Sequence, residues 1–422
     1  MSEWVESPLS QLATFQKGRK VDTSPFNGDG YAPYLGASGL EGGDDGFAAT
    51  RLAVIAKSTD TLMLWDGERS GLVGYGRQGV VASTVSKLSP SDKVEPKYLY
   101  YALSERFDWI QHRRTGTGVP HVPKDLGRLL KLRYPKQRTD QQRIATILSG
   151  IDSAIEKTEA LIAKYQQIKA GLMHDLFTRG VLPNGQLRPP RDQAPKLYQE
   201  TAIGWIPREW RILDCSAVLD SIADGPFGSN LKTEHYVVDP GVRVVRLQNV
   251  TEYQYNDTDR AFVSDRHAAY LIRNKIVGGD VLIAGLGEER YPVGRACTYP
   301  ENLPPAINKA DCFRARCIAE LMHNKFLMLF LNSELARQQI RRYEQGVTRP
   351  RINTGNLKRL VVCVPELTEQ VAFISMFESA QAAIRTQQSI VENLKSQKFG
   401  LMHDLLTGKV PVKVEEPEVV DG

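Results

Sequence analysis

Residues 141–181, QQRIATILSGIDSAIEKTEALIAKYQQIKAGLMHDLFTRGV, align without a gap with residues 370–410, QVAFISMFESAQAAIRTQQSIVENLKSQKFGLMHDLLTGKV, 229 positions further on. Residues 171–176 and 400–405 are the same six letters, GLMHDL. An internal repeat implies related structural units, so both copies must find comparable surroundings in any fold of this chain.

Each copy has helical patterning. Ile144, Ile151, Thr158, Tyr165 and Leu172 lie seven apart, and Ile147, Ala154, Leu161 and Ile168 lie three further on. Leu148, Ile155, Ile162 and Leu176 widen this to an a/d/e stripe. The second copy fills the same slots with Phe373, Ala380, Leu394 and Leu401, then Met376, Ala383 and Ile390, then Phe377, Ile384, Val391 and Leu405. Neither copy contains proline, so each reads as one helix of about 55–60 Å. A helix of that length needs cover for its stripe. Matched length and spacing make the other copy the expected cover, and the polar Thr158 and Gln387 in one shared slot would fix register. The alternative is two amphipathic helices docked on separate cores.

At 422 residues, 41% hydrophobic and 24% charged, the chain is expected to form two to four globular domains. No apolar run is long enough to span a membrane, and MSEWVESPLSQL lacks the pattern of a signal peptide, so the expectation is a cytoplasmic protein. The five cysteines include no CxxC, which argues against a disulfide frame and a zinc site. The net charge of +5 permits a polyanionic partner without demanding one. Between Arg208 and Pro365 there are 17 arginines and 5 lysines. Arginine suits bidentate contact with phosphates and guanine edges, although a solvated surface has the same composition.

The spacing divides the chain into a first globular part (1–137), a first long helix (138–181), a linker (182–205), a second globular part (206–366), a second long helix (367–410) and an acidic tail (411–422). In the first part, 52–57, 61–65, 79–88 and 129–134 read as strands and 97–114 as a helix with a basic last turn. The second part has strands at 241–250, 280–284 and 360–364, and a helix at 322–343. Each part closes with a helix, a glycine-containing loop, a strand, a proline (Pro135, Pro365) and then the long helix, with Gly118-Val119 matched to Gly346-Val347. The linker, which opens LPNGQLRPPRDQAP, is too rich in proline and polar residues to be rod or core.

No credible active site is visible. Gly74, Gly76 and Gly79 spell G-x-G-x-x-G, but VVASTVSKL comes next, so a glycine-rich hairpin is expected rather than a cofactor loop. Asp224-Gly225-Pro226-Phe227 has glycine where the amino-methyltransferase tetrapeptide has proline, and no nucleotide P-loop occurs. Neither residues 19–22 nor Glu288-Glu289 make a nuclease metal site. His174 and His403 are read as parts of the helix ends rather than metal ligands. No catalytic or metal-binding residue is therefore assigned. For nucleic acid, the first loop offers Arg113, Arg114, His121 and Lys124, and the second Arg341, Arg342, Arg349, Arg351 and Asn353. Lys17, Arg19, Lys20, Lys232, Arg243, Arg246, Gln248, Asn249, Arg290 and Arg295 are weaker candidates on strand-edge loops. The competing reading of the loop arginines is that they only neutralise helix C-termini.

Several marks, spread over the whole chain, resemble the DNA-specificity (S) subunits of type I restriction–modification systems. They are Thr201-Ala202-Ile203-Gly204-Trp205-Ile206-Pro207 with Trp210, DGPFGSNLK at 224–232, a proline then glutamine before each long helix, and the two GLMHDL endings followed by Thr-x-x-Val. The resemblance implies an α+β chain: two globular α/β target-recognition domains separated by two long helices packed as an antiparallel coiled coil, with a pseudo-two-fold internal repeat. It implies a non-catalytic subunit that binds double-stranded DNA at a split, asymmetric target. Two modification (methyltransferase) subunits would dock on it and bring restriction subunits with them. It needs no cofactor of its own; S-adenosylmethionine, ATP and magnesium belong to the partner subunits. The first globular part departs from the family opening, since Phe15-Gln16-Lys17-Gly18 only loosely parallels the Gly-Pro-Phe-Gly turn. The alternatives are a DNA methyltransferase or nuclease with a fused recognition module, and a coiled-coil adaptor with no nucleic-acid role.

Overall fold

The computed structural model describes residues 3–116, 118–238, 241–288 and 290–411. The expected acidic tail lies outside them apart from Pro411, as do Thr117 and Glu289. The chain forms two compact units, Met1–Leu161 with Gln387–Gly422, and Ile162–Thr386. Both unit boundaries fall inside long helices, Arg138–Arg179 and Leu367–Thr407.

In the first unit, Trp4–Pro8 pairs with Lys131–Pro135. A four-stranded antiparallel sheet runs Ala13–Lys17, Val85–Pro90, Thr61–Leu64, Val73–Tyr75. A five-stranded sheet runs Thr23–Ser24, Phe47–Ala49, Tyr31–Leu35, Gly79–Val81, Ile55–Ala56, and its one parallel pair is Tyr31–Leu35 with Gly79–Val81. The second unit repeats this plan strand for strand. Arg211–Asp214 pairs with Val361–Val364. Its four-stranded sheet is Leu219–Ala223, Cys312–Cys317, Val281–Ala284, Ala296–Thr298. Its five-stranded sheet is Tyr236–Val237, Phe262–Val263, Val242–Val245, Ala306–Asn308, Lys275–Ile276, again with one parallel pair. The sequence shows kinship only at the end of each globular part; in the structure it extends through both sheets.

Each unit contains the start of one long helix and the end of the other. In the first, Ile144 and Leu148 share a core with Leu99, Leu103, Leu405 and Leu406. In the second, Phe373 and Phe377 share a core with Leu176, Phe177, Phe326 and Phe330, and Phe177 meets Phe373 edge-on at 5.4 Å between ring centres. The GLMHDL endings therefore supply core leucines. In both units the helix segments run antiparallel. Lys395 pairs with Glu159 at 2.7 Å and Lys398 with Asp152 at 2.5 Å in the first unit; Lys169 donates to Gln381 at 2.9 Å in the second. The last two contacts are repeat-related, because Lys398 and Gln381 occupy the slots of Lys169 and Asp152 in the other copy.

The inward stripe is narrower than the a/d/e face expected. Ile144, Leu148 and Ile155, and Phe373, Phe377, Ile384 and Val391, are buried, whereas Ile147, Ile168 and Ile390 are exposed by 39%, 51% and 38%. The inward column contains Lys169 and Lys398, so it looks broken in sequence. The Lys169 ammonium stands 5.0 and 5.7 Å from the Tyr253 and Phe377 ring centres and that of Lys398 5.9 Å from Tyr101, while each also meets a polar partner, Gln381 or Asp152.

Local boundaries differ from expectation where side chains take over backbone bonds. The helix expected over 322–343 is two helices, Asn324–Leu331 and Glu334–Tyr343. Asn332 turns its amide onto Ala296, bonding both its N–H and its carbonyl, and Ser333 caps the restart by accepting from Ala336 N. The helix expected over 97–114 is likewise two, Pro96–Glu105 and Phe107–Gln111. The G-x-G-x-x-G stretch is not a hairpin: it passes the chain from the four-stranded sheet to the five-stranded one.

The expected linker, 182–205, is ordered. Gly180, with φ of 67°, ends the first long helix in the left-handed region, where a Cβ would fall 2.6 Å from the Trp210 ring. Arg188 is only 4% exposed. It donates to both Glu369 oxygens, at 2.5 and 3.1 Å, and Glu369 also accepts from Val181 N and Trp210 Nε1. Tyr198–Thr201 then pairs with Gly204–Pro207. Composition concealed this because the partner of Arg188 lies 181 residues away.

Candidate nucleic-acid interface

The two candidate loops have one backbone design. In the first unit Thr115 and His121 exchange both N–H···O bonds, Gly67 N donates to Pro120 O, and Val122 N donates to Trp65 O. In the second, Gln345 and Arg351 exchange both bonds, Gly287 N donates to Pro350 O, and Ile352 N donates to Gly285 O. His121 therefore corresponds to Arg351 and Gly116 to Gly346. This corrects the match of Gly118-Val119 with Gly346-Val347: Gly116 and Gly346 take the left-handed φ values, 106° and 93°. The adjoining strand ends correspond too. A Cβ on Gly18 would fall 2.1 Å from the Ala82 carbonyl oxygen, and one on Gly225 2.1 Å from that of Lys309. Lys17-Gly18 thus corresponds to Asp224-Gly225, a likeness the letters barely show.

In the first unit these loops gather polar side chains. Asp66 accepts from Lys17 Nζ at 2.8 Å and lies 2.7 Å from His121 Nδ1. Arg113 stacks on Trp109 at 3.9 Å, and Arg114 is tied to the carbonyls of Gln111 and Glu68. Arg19, Lys20 and Lys124 are exposed, with no side-chain partner among the described residues.

In the second unit the candidates separate into two groups. Arg342, Arg349 and Arg290 are exposed, Arg290 beside Tyr291. Arg351 is also exposed, and its guanidinium meets Asp311 at 2.6 Å. Lys232 stands near Glu234 at 3.7 Å, and Arg341 pairs with Glu334 at 3.1 Å. Gln248 and Arg349 face a cavity of about 330 Å³ that Thr251, Asn256, Glu288 and Tyr291 also line.

Five candidates are structural instead. Asn249 is fully buried, accepting from Arg246 N and donating to Asn256 O and Asp259 O. Arg243 is 7% exposed and paired with Asp257, and Arg246 is held by both oxygens of Asp259. Arg295 is 5% exposed and donates to the carbonyls of Val250, Leu247, Leu286, Tyr291 and Pro292. Burial pushes its pKa below the usual arginine value, and five carbonyls are what a guanidinium in that setting needs. Asn353 caps the helix Thr354–Lys358 by accepting from Asn356 N. Part of the arginine excess therefore holds loops together.

Residue patterning overlooked the acidic groups of this surface. Asp224 Oδ1 accepts from Gly225 N at 2.7 Å and Asp311 N at 3.0 Å. Burial raises its pKa to about 6 against those bonds. Asp66 and Asp311 are missed for a plain reason: an isolated aspartate carries no signal until folding sets a cation beside it. Burial also pushes the Cys215 and Cys297 thiols up to about 12, as inert core groups. Among the described residues no group of three or more His, Cys, Asp or Glu is disposed to hold a metal, and no helix is long and apolar enough to cross a membrane.

Comparison with known proteins agrees with this architecture. Residues 1–167 match the family model described as the type I restriction modification DNA specificity domain. The MjaVIII type I restriction enzyme specificity subunit of Methanocaldococcus jannaschii is 27% identical, covering 97% of this chain and 94% of that one. The EcoBI specificity subunit of Escherichia coli is 19% identical over 99% and 89%. The crystal structure of the type I restriction–modification S subunit from M. genitalium shares the fold, with a TM-score of 0.58, 16% identity and 96% of each chain covered. Residues 1–167 thus resemble a type I DNA specificity domain, and the chain is similar over nearly its full length to type I restriction enzyme specificity subunits, whose fold it shares.

Proposed function

We propose that the chain reads a split, asymmetric double-stranded DNA sequence, each unit specifying one part. Its role is recognition rather than catalysis. The observation that carries the reading is a single scaffold built twice with unlike side chains at equivalent loop positions: His121 against Arg351, Lys17 against Asp224. A duplicated scaffold with a duplicated surface would read an inverted repeat, so unlike surfaces imply unlike half-sites. Exposed Arg19, Lys20, Lys124, Arg342 and Arg349 suit phosphate and base-edge contacts.

The long-helix repeat offers two related faces, which suits docking of two copies of one methyltransferase subunit, with restriction subunits joining through them. S-adenosylmethionine, ATP and magnesium would enter with those subunits, and an assembly acting on cellular DNA belongs in the cytoplasm. Mapping methylated adenines in a host carrying this chain and its cognate methyltransferase tests the reading. Two short specified sequences separated by a constant unspecified spacer are expected. A contiguous palindrome, or methylation indifferent to this chain, would overturn it.

A further inference from the structure

Each loop turns one polar side chain outward at the same backbone position, and each is met by a carboxylate. In the first unit the acid is Asp66, 2.7 Å from His121 Nδ1, and it accepts from Lys17 as well. In the second it is Asp311, 2.6 Å from the Arg351 guanidinium. These acids come from different places in the common scaffold. Asp66 corresponds to Leu286, since each immediately precedes the glycine that donates to the loop proline. Asp311 corresponds to Thr84, since Trp65 N donates to Thr84 O and Gly285 N to Asp311 O. The pairing is thus built twice, by different residues, at one surface position.

Both carboxylates are largely enclosed, with side chains 17% and 18% exposed, while His121 and Arg351 are 45% and 55% exposed. The acids cannot reach far, but they fix the direction in which the outer group presents its other ring nitrogen, for His121, or its remaining N–H groups, for Arg351. Asp311 is itself held by strain and by a neighbour. Its φ is 64°, in the left-handed region, and its N–H is bound by Asp224.

We propose that Asp66 and Asp311 are specificity-determining positioning residues, each aiming the loop side chain, His121 or Arg351, at one base pair of its own half-site. An imidazole held through Nδ1 presents Nε2 at a fixed angle. A guanidinium anchored on one edge keeps its other donors for a base edge such as the O6/N7 pair of guanine. Released from the acid, either side chain samples several rotamers and favours no base. The inference rests on the split-target reading above.

The test uses the assembled methyltransferase containing the full chain, with methylated sites mapped for the parent, Asp66→Asn and Asp311→Asn. Asparagine keeps the size but loses the charge. Each variant is expected to lower discrimination at one position of one half-site by about tenfold or more, leaving the other half-site intact as proof of folding. Uniform loss over all sites with unchanged base preference, or an effect on both half-sites, would show the acids to be merely structural and overturn the proposal. The parent map separates the two questions: an unsplit parent sequence defeats the functional reading, whereas a split sequence unaltered in both variants defeats only this inference.

Discussion

The long helices are fastened to the globular parts by one glutamine each, and removing it should be costly. Gln370 is fully buried. Its Oε1 accepts from His323 N at 2.9 Å, and its Nε2 donates to Leu321 O and Pro365 O, both at 2.9 Å. Gln141 does the same in the first unit: it accepts from Glu95 N at 2.7 Å and donates to Lys93 O and Pro135 O at 3.1 and 2.8 Å. Gln370→Ala leaves one buried N–H and two carbonyls without this partner. At roughly 1–3 kcal/mol for each stranded group, partly relieved by water, the expected cost is about 3–6 kcal/mol. The assay is amide hydrogen exchange. Protection at His323 should fall by about a hundredfold or more in Gln370→Ala, and at Glu95 in Gln141→Ala, each within its own unit. A change below about 1 kcal/mol, or equal loss of protection in both units, would refute the idea that these glutamines anchor the helices.

Arg188→Met strands the enclosed Glu369 carboxylate and should destabilise the second unit by about 3–5 kcal/mol in chemical denaturation, whereas a near-neutral result would mean the strap is only peripheral. Burial lowers the Lys169 pKa from its usual 10.5, so the unfolded chain binds more protons just below that value. Stability of the second unit should therefore rise with pH as the usual lysine value is approached, and Lys169→Met should abolish the rise; an identical pH profile in the variant would contradict this. Seven residues added at matched points of both long helices extend each by about 10 Å, or about 3 base pairs, and should lengthen the unspecified spacer in the methylated sequence by that much without altering either half-site.

The long helices and their mutual pairing were legible because a repeat and a heptad pattern are local signals. Which column faced inward was not, since Lys169 and Lys398 interrupt it in letters while Gln381, Asp152 and neighbouring rings accommodate them in space. The common scaffold of the globular parts was largely hidden. Its kinship resides in backbone bonds, such as those joining Thr115 to His121 and Gln345 to Arg351, and these place few demands on side chains. The candidate site was legible in part. Exposed basic residues on the loops stand where expected, but Arg243, Arg246, Arg295 and Asn249 look the same in sequence and serve the interior. Nothing local distinguishes an arginine that donates to five carbonyls from one that faces solvent.

The most direct test of two independent readers on one scaffold is a loop exchange. Residues 115–121, TGTGVPH, and 345–351, QGVTRPR, have equal length and the same backbone bonding, so the second can replace the first without redesign. Methylated-site maps from the parent assembly and from the exchanged one should then differ in one half-site only, with the spacer and the other half unchanged. Alteration of both halves together, or of neither, would contradict the account.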